Sequence, residues 1–196
     1  MPVIQLIALL LAVATAQAVN STGPTTGAPA PAFSNSGANG ETYSLESLRG
    51  KWIVLEWYNP SCPFTRRHYD NGAMPQRQRA WTSKGVVWLS VSTSARVERA
   101  AAFARSKGGA ATAVLDDLEG KTARAYQART TPHMFVIDPQ GVLIYRGAFD
   151  DRPEGDPVSA PEGRNFVDDA LTSAMAGRPV ETPVTTPYGC AVHYAQ

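Results

Sequence analysis

Two cysteines, Cys62 and Cys190, are the residues of this 196-residue chain whose surroundings most clearly suggest chemistry. Cys62 follows a continuous β-prone run at residues 52–58 and stands directly before Pro63. Because proline suits the first turn of a helix, Cys62 is predicted to lie where a buried strand ends and a helix begins. A sulfur at a helix N-terminus faces unpaired amides and the positive end of the dipole, which lower its pKa. Cys62 is therefore a candidate nucleophile, and a small buried hydrophobic residue is the alternative.

The second thiol stands in residues 179–196, where prolines at 179, 183 and 187 predict an extended C-terminal tail that is able to swing. A sulfenic acid or mixed disulfide on Cys62 needs another thiol to resolve it, and Cys190 is the only other thiol of the chain. The pair is thus either catalytic, with Cys190 as the resolving cysteine, or a permanent disulfide that fixes the tail. An intermolecular or free thiol is the third interpretation.

Strands and helices alternate along the part of the chain that must position these cysteines. Four β-prone runs predict strands: residues 52–58, 86–92, 134–137 and 142–145. The turn sequence Asp138-Pro139-Gln140-Gly141 joins the last two runs as a hairpin. Four further segments predict helices, the first with a break at Asn71-Gly72: residues 63–84, 94–107, 118–128 and 165–176. With a short strand between the second and third of these helices, this order predicts an α/β fold, a three-layer α/β/α sandwich whose central mixed sheet is mainly parallel and carries an antiparallel edge hairpin.

The N-terminal end of the chain resembles an export signal. Residues 3–14 form an apolar run that is too short to span a bilayer, and Ala16-Gln17-Ala18 follows it as a small-x-small cleavage pattern. We expect residues 1–18 to be a signal peptide, residues 19–29 a flexible leader and residues 30–178 the folded domain. Because no Lys or Arg precedes the run, a buried N-terminal helix and an uncleaved anchor stay open. The expected location is the periplasm or the extracellular space, without stable membrane insertion after cleavage.

Charge and cysteine content exclude several classes of function. Lys and Arg number 18 against 17 Asp and Glu, and no basic stripe is present, so nucleic-acid binding is not expected. Two cysteines are too few for a disulfide-dense scaffold or a cysteine-rich zinc site. A copper site built from Cys62, His68, Cys190 and His193 is a weaker alternative. We therefore expect neither a cofactor nor a resident metal.

Several motifs resemble the thioredoxin superfamily. Glu56 stands six residues before the cysteine, Trp57 follows it, and Cys62-Pro63 opens a predicted helix. Thr131-Pro132, directly before a predicted strand, is similar to the cis-proline loop that lies against the active-site cysteine in that superfamily. Residues 128–151 resemble the redoxins, the alkyl hydroperoxide reductase/thiol-specific antioxidant group, and residues 187–194 resemble the end of a peroxiredoxin-like branch. The resemblance implies a thioredoxin-like fold, a cis peptide before Pro132 and thiol chemistry at Cys62.

The sequence also departs from these families at positions that matter for chemistry. Thioredoxin-like reductases carry a second cysteine where this chain has Thr65, so Cys62 has no local resolving partner. Asn59 replaces the threonine of typical peroxiredoxins, and its amide is a candidate donor to a peroxide oxygen. Arg129 is the candidate peroxidatic arginine. Glu56, if buried beside Cys62, would carry a proton; a partly solvated carboxylate paired with an arginine is the alternative.

The function expected from these residues is that of an exported, redoxin-type thiol oxidoreductase. The Cys62 thiolate attacks a peroxide or a disulfide, Cys190 resolves the product, and an external thioredoxin-like or small thiol restores both. A disulfide reductase or isomerase without peroxidase activity is the first alternative. A non-catalytic binding module with a structural Cys62–Cys190 bridge is the second.

Overall fold

The computed structural model describes residues 23–153 and 163–194 of the chain. The predicted signal peptide, residues 1–18, and the first part of the predicted leader lie outside these described residues. Within the two described ranges, no helix is long and apolar enough to cross a membrane.

The described chain alternates strands with helices. Its strands are β1 (Ser34–Ser36), β2 (Thr42–Ser44), β3 (Ile53–Trp57), β4 (Val87–Ser92), β5 (Ala113–Asp116), β6 (Thr130–Thr131), β7 (His133–Ile137), β8 (Leu143–Gly147) and β9 (Cys190–Ala191). Its helices are α1 (Pro63–Asp70), α2 (Ala73–Thr82), α3 (Val97–Ser106), α4 (Lys121–Tyr126) and α5 (Phe166–Met175). The predicted break after Asn71 is confirmed: Gly72 has a φ of +78°, which the glycine tolerates and which separates α1 from α2.

A five-stranded mixed sheet forms the centre of the molecule, in the order β5-β4-β3-β7-β8. The strands β3, β4 and β5 run parallel, whereas β7 is antiparallel to both β3 and β8. The predicted mixed sheet with an antiparallel hairpin at its edge is confirmed, but parallel pairs do not predominate, because β7 also runs against β3. This direction has a consequence for the site: Trp57 pairs with His133, so the start of β7 lies beside the end of β3.

Helices cover both faces of this sheet. On one face, side chains of α2, α3 and α5 pack against strand residues such as Val54 and Val136. On the other face, α4 and the segment around the β1–β2 hairpin cover Leu55 and Phe135. Trp57 belongs to this second face, where its ring lies 5.4 Å from the Tyr126 ring. The arrangement is the predicted three-layer α/β/α sandwich.

The segment before residue 30 is more ordered than its composition predicts. The Gly27 amide donates to the Leu143 carbonyl at 2.7 Å, and the Leu143 amide donates to the Ala28 carbonyl at 3.0 Å. Residues 27–29, expected to belong to a flexible leader, therefore pair with the edge strand β8. Backbone pairing needs no apolar side chains, which is why a Ser-, Gly- and Pro-rich composition did not reveal it.

The C-terminal tail is fastened to the domain along its length. The Arg146 amide donates to the Pro183 carbonyl at 3.0 Å, and the Thr185 amide donates to the Arg146 carbonyl at 3.1 Å. The hydroxyl of Thr185 also accepts a hydrogen bond from the Ala148 amide at 2.8 Å. Further on, β9 pairs antiparallel with β6. The tail is extended, but it is docked in the state with two free thiols, in contrast to the swinging arm expected from its prolines.

Candidate active site

A tight turn after β3 places Cys62 at the start of α1. The side-chain oxygen of Asn59 accepts a hydrogen bond from the Ser61 amide at 2.8 Å, and its carbonyl accepts one from the Cys62 amide at 3.0 Å. Cys62 is the N-cap residue with an extended backbone, and Pro63 occupies the first helical turn, as predicted. Asn59 thus shapes the turn that presents the sulfur. Its predicted contact with a peroxide oxygen stays a prediction.

The sulfur of Cys62 is surrounded by hydrogen-bonding groups. Only 1% of Cys62 is exposed, and its Sγ lies 3.1 Å from the carbonyl oxygen of Thr131. Burial raises the pKa of a thiol, but hydrogen bonds from the Cys190 thiol and the Thr65 amide outweigh it. The pKa of Cys62 therefore lies below its ordinary value, as expected of a nucleophilic cysteine.

The loop before β7 supplies the opposite wall of the site. The Thr131–Pro132 bond is cis, which confirms the prediction made from the resemblance. Thr131 is buried, and it pairs with Cys190 in the short β6–β9 ladder. One residue beyond the end of this ladder, the Val192 amide donates to the Arg129 carbonyl at 3.0 Å. The tail therefore lies as an added strand against the loop that faces Cys62.

Cys190 meets Cys62 at the N-terminus of α1. The backbone amide of Phe64 hydrogen-bonds to the Cys190 sulfur. The next amide along the helix, that of Thr65, hydrogen-bonds to the Cys62 sulfur. Burial, followed by the hydrogen bond and the charge of Cys62, raises the pKa of Cys190 to about 11. The two shifts have opposite directions, so when the pair loses one proton the negative charge is favoured on Cys62, with the Cys190 thiol as a hydrogen-bond donor to it.

Thr65 occupies the position one helical turn after Cys62. The residue is buried, and its side-chain oxygen has no hydrogen-bond partner among the described residues. Its amide contacts the Cys62 sulfur, so the residue belongs to the site through its backbone. A cysteine at this position would be the local resolving partner that the chain lacks.

Glu56 is placed differently from either expectation. It is completely buried, and its carboxyl group accepts hydrogen bonds from Tyr69, Gln78, Trp88 and Ser90 at 2.8–3.0 Å. The partly solvated ion pair with an arginine is therefore wrong, because uncharged donors surround the group. Burial raises the pKa of Glu56 against the effect of these hydrogen bonds. Its proton-transfer role at Cys62 stays a prediction.

Arg129 contributes to the site through its backbone. Its carbonyl accepts from Val192, and its amide donates to Nδ1 of His133 at 3.1 Å, while its side chain is exposed. Hydrogen-bond donors are the groups that lower the pKa of Cys62, and Arg129 is not one of them. Its peroxidatic role stays a prediction without support from this geometry.

One group of contacts beside the site was missed by the sequence analysis. Tyr188, two residues before Cys190, hydrogen-bonds through its hydroxyl to Arg67, His68 and Asp150. Tyr188 lies on the tail, Asp150 follows β8, and Arg67 and His68 are neighbours on α1. The sequence alone showed only that Arg67 and His68 are adjacent. His68 lies in this cluster rather than at a metal: the described ranges contain no group of three or more His, Cys, Asp or Glu residues able to hold an ion.

Comparison with known proteins agrees with this geometry. Residues 26–146, which include Cys62 and Pro132 but not Cys190, match the model of the AhpC/TSA family. No curated protein matches the chain. An uncharacterized conserved protein from Geobacillus kaustophilus has 23% identity and a TM-score of 0.76, over 90% of this chain and 94% of its own.

Two further structures extend the comparison. A hypothetical protein from Sinorhizobium meliloti 1021 has 22% identity and a TM-score of 0.75, over 88% of this chain and 96% of its own. A putative thiol:disulfide interchange protein DsbE from Chlorobium tepidum has 26% identity and a TM-score of 0.53, over 62% of this chain and 84% of its own. The family match covers more than half of the chain, and the sheet, the helix that begins after Cys62 and the cis-proline loop fit it. The chain belongs to the AhpC/TSA family and has the thioredoxin-like fold of the redoxins.

Proposed function

We propose that the protein is an exported thiol-dependent oxidoreductase in which Cys62 is the nucleophile and Cys190 resolves its oxidised product. The observation that carries the proposal is the β6–β9 pair, which sets Cys190 opposite Thr131, whose carbonyl oxygen lies 3.1 Å from the Cys62 Sγ; the pKa values of the two thiols also shift in opposite directions. A structural disulfide needs no such asymmetry. Membership of a redoxin family supports thiol oxidoreductase chemistry in general.

The first step uses the Cys62 thiolate. Its attack on a hydroperoxide breaks the O–O bond, forms a sulfenic acid and releases an alcohol or water after proton uptake. Its attack on a disulfide instead gives a mixed disulfide and releases one thiolate. The hydrogen bonds from the Cys190 thiol and the Thr65 amide lower the pKa of Cys62 and so favour the thiolate in both cases.

The second step uses Cys190, and the charge on Cys62 controls how easily the Cys190 thiol loses its proton. Part of the rise in the pKa of Cys190 comes from the hydrogen bond and the negative charge of Cys62. Oxidation of Cys62 removes that charge, so Cys190 loses its proton more easily when it must attack. Its thiolate displaces water from a sulfenic acid, or a thiolate from a mixed disulfide, and an external dithiol then reduces the Cys62–Cys190 bridge.

Access to the nucleophile requires a movement of the tail. Cys62 is buried, and Cys190 with its β9 neighbours lies against it, whereas Cys190 itself is only half-buried. We infer that an oxidant reaches Cys62 when the β6–β9 pair opens. This pair consists of two residues on each strand, which makes it the smallest paired unit around the site.

A single-turnover experiment tests the proposal and separates its two branches. Wild-type, Cys62→Ser and Cys190→Ser proteins are mixed with hydrogen peroxide, cumene hydroperoxide or oxidised glutathione, and the products on each cysteine are identified by mass spectrometry. We expect Cys190→Ser to stop at a sulfenic acid or a mixed disulfide on Cys62, wild type to proceed to the intramolecular bridge, and Cys62→Ser to remain unmodified.

The outcomes differ for the alternatives. Reaction with oxidised glutathione but not with the peroxides identifies a reductase or isomerase without peroxidase activity. The catalytic proposal is overturned if Cys62 reacts with none of the three oxidants and the wild-type bridge resists dithiols until the protein unfolds. That result would identify a structural bridge in a non-catalytic binding module.

Export rests on the N-terminal sequence alone. The apolar run at residues 3–14, with Ala16-Gln17-Ala18 after it, supports cleavage after Ala18 and release to the periplasm or the cell exterior. The intact mass of the protein recovered from the producing cell tests this directly. A mature chain that begins at Val19 supports export, and one that retains residues 1–18 contradicts cleavage.

A further inference from the structure

One face of helix α1 forms a seat for the tail residue Tyr188. Phe64, Arg67 and His68 have the spacing i, i+3 and i+4, which places their side chains on the same side of the helix. The Tyr188 ring centre lies 6.0 Å from that of Phe64 and 6.3 Å from that of His68. The guanidinium of Arg67 lies 5.7 Å from the Tyr188 ring centre.

The hydroxyl of Tyr188 is the point where three segments of the chain meet. It donates a hydrogen bond to the Asp150 carboxylate, which follows β8, and accepts one from Nη2 of Arg67 at 3.2 Å. Nε2 of His68 lies 3.3 Å from the same oxygen. Burial lowers the pKa of His68 to about 4 despite the nearby Asp150, so its ring is neutral at physiological pH. The hydroxyl thus bridges one anion and one cation.

This seat is connected to the reactive sulfurs by a very short path. Tyr188 precedes Cys190 by two residues, and Phe64, which contacts its ring, also supplies the amide that hydrogen-bonds to the Cys190 sulfur. Gly189 between them has a φ of +131° and lies so close to Thr131 that a Cβ would be 2.2 Å from its carbonyl oxygen. Because Gly189 is the one residue between them and packs against the Thr131 backbone, fastening Tyr188 keeps Cys190 beside the loop that faces Cys62.

We propose that Tyr188 is a positioning residue that holds Cys190 against Cys62 through its hydrogen bonds to Arg67 and Asp150. The inference rests on the proposed function, because it assigns to Tyr188 the placement of the resolving thiol. Tyr188 does not touch the reacting atoms. It raises the effective concentration of Cys190 at Cys62, and it keeps the Cys190 thiol where it donates to the Cys62 thiolate.

The test removes the hydroxyl and keeps the ring, in Tyr188→Phe of the full chain. Tyr43→Phe is the matched control, because Tyr43 carries its hydrogen bonds on the remote β1–β2 hairpin. The Cys62–Cys190 thiol–disulfide equilibrium is measured in glutathione redox buffers, with the thiols trapped by alkylation. Loss of hydrogen bonds to two charged partners is expected to let the reduced tail undock, which lowers the effective concentration of Cys190 at Cys62 and the equilibrium constant for bridge formation by up to about tenfold, equivalent to about 1.4 kcal/mol. The control is expected to match wild type.

A second readout separates positioning from a general loss of structure. In Tyr188→Phe, the pKa of Cys62, followed by thiolate absorbance, is expected to rise because the Cys190 donor is held less well. The first reaction of Cys62 with oxidant persists, while the subsequent bridge formation slows. If Tyr188→Phe does not fold, Asp150→Asn serves instead, since it removes the anionic acceptor while preserving the shape, and it is expected to shift the same two quantities.

The results distinguish this inference from the proposed function. An unchanged disulfide equilibrium and an unchanged rate of bridge formation in Tyr188→Phe overturn the positioning role, even if Cys62 and Cys190 are catalytic. Conversely, a weakened bridge in Tyr188→Phe supports positioning even if no oxidant reacts with Cys62, in which case the proposed function fails alone.

Discussion

Replacement of Gly189 by alanine tests whether the docked tail is part of the active site. A Cβ built on Gly189 lies 2.2 Å from the Thr131 carbonyl oxygen and 2.9 Å from its carbonyl carbon. Both are backbone atoms of the loop that faces Cys62, so no flexible side chain is able to give way. The φ of +131° at this position adds strain for any residue with a Cβ. Gly189→Ala must therefore push the tail away from β6.

The size of the effect follows from the strain that the bridged state must accept, because a Cys62–Cys190 bond pulls the tail back against β6. The positive φ costs on the order of 1–3 kcal/mol for a non-glycine residue. At the upper end, a cost of about 3 kcal/mol in the bridged state corresponds to an equilibrium constant for Cys62–Cys190 bridge formation that is about 150-fold lower.

The assay is the same glutathione equilibrium, combined with the pKa of Cys62. Gly177→Ala is the matched control: Gly177 also has a positive φ, of +70°, but a Cβ there meets nothing within 4 Å. The control is expected to lower the free energy of unfolding slightly and to leave the thiol equilibrium unchanged. Gly189→Ala is expected to weaken the bridge and to raise the pKa of Cys62.

The reasoning is refuted if Gly189→Ala and Gly177→Ala show the same bridge stability and the same Cys62 pKa. That result would mean that Cys190 reaches Cys62 by a route that does not need the β6–β9 pairing. A decrease much smaller than this would mean that the tail adjusts to the new Cβ without leaving β6.

Three further predictions concern groups around the sulfurs. In Cys190→Ala, loss of a hydrogen-bond donor is expected to raise the pKa of Cys62, measured by the pH dependence of its alkylation, with Cys190→Ser closer to wild type. In a Cys190→Ser background, Thr65→Cys is expected to restore an intramolecular bridge and turnover with a dithiol, because residues one helical turn apart lie within disulfide range. For Glu56, burial raises the pKa in the folded state, so its stabilising contribution is complete below the unfolded pKa and is lost as pH rises through the folded pKa. As the pH rises through the folded-state pKa of Glu56, the free energy of unfolding of wild type is therefore expected to fall relative to that of Glu56→Gln. Urea unfolding at a series of pH values measures this difference.

Each of these three predictions has an outcome that would contradict it. An unchanged alkylation profile in Cys190→Ala would remove Cys190 from the groups that activate the nucleophile. Failure of the Thr65→Cys rescue, in a protein that folds and reacts once with oxidant, would show that the side chain at position 65 points away from the sulfur. Parallel pH profiles for wild type and Glu56→Gln would mean that the carboxyl has equal pKa values in the folded and unfolded states.

Local signals explain which parts of the fold were predictable. The strand before Cys62, the helix opening at Pro63 and the break at Gly72 each depend on a few adjacent residues, and the structure contains all three. The β1–β2 hairpin was missed because its strands, Ser34–Ser36 and Thr42–Ser44, are short and polar. The β6–β9 pair was missed for a different reason: it joins two dipeptides from distant parts of the chain, and neither carries a strand pattern of its own.

The residues of the site, like the elements of the fold, were predictable where a local motif marks them. Cys62, Pro132 and Cys190 were identified from motif and composition, and the structure brings them together. The partners of Glu56 were not predictable, because its four donors come from α1, α2 and β4. A sequence shows that a carboxyl is unusual in a buried strand, but only the packing shows whether an arginine or a set of neutral donors satisfies it.

The tail both completes and closes this site, and the two effects oppose each other. The Cys190 thiol lowers the pKa of Cys62, yet the same contact covers the sulfur that an oxidant must reach. A chain with a cysteine in place of Thr65 would carry its resolving thiol on α1 and would have no need for this cover. Because the second thiol here is on the tail, nucleophile activation, access and resolution all depend on a single docking equilibrium. Residues that fasten the tail therefore influence each step of the proposed reaction.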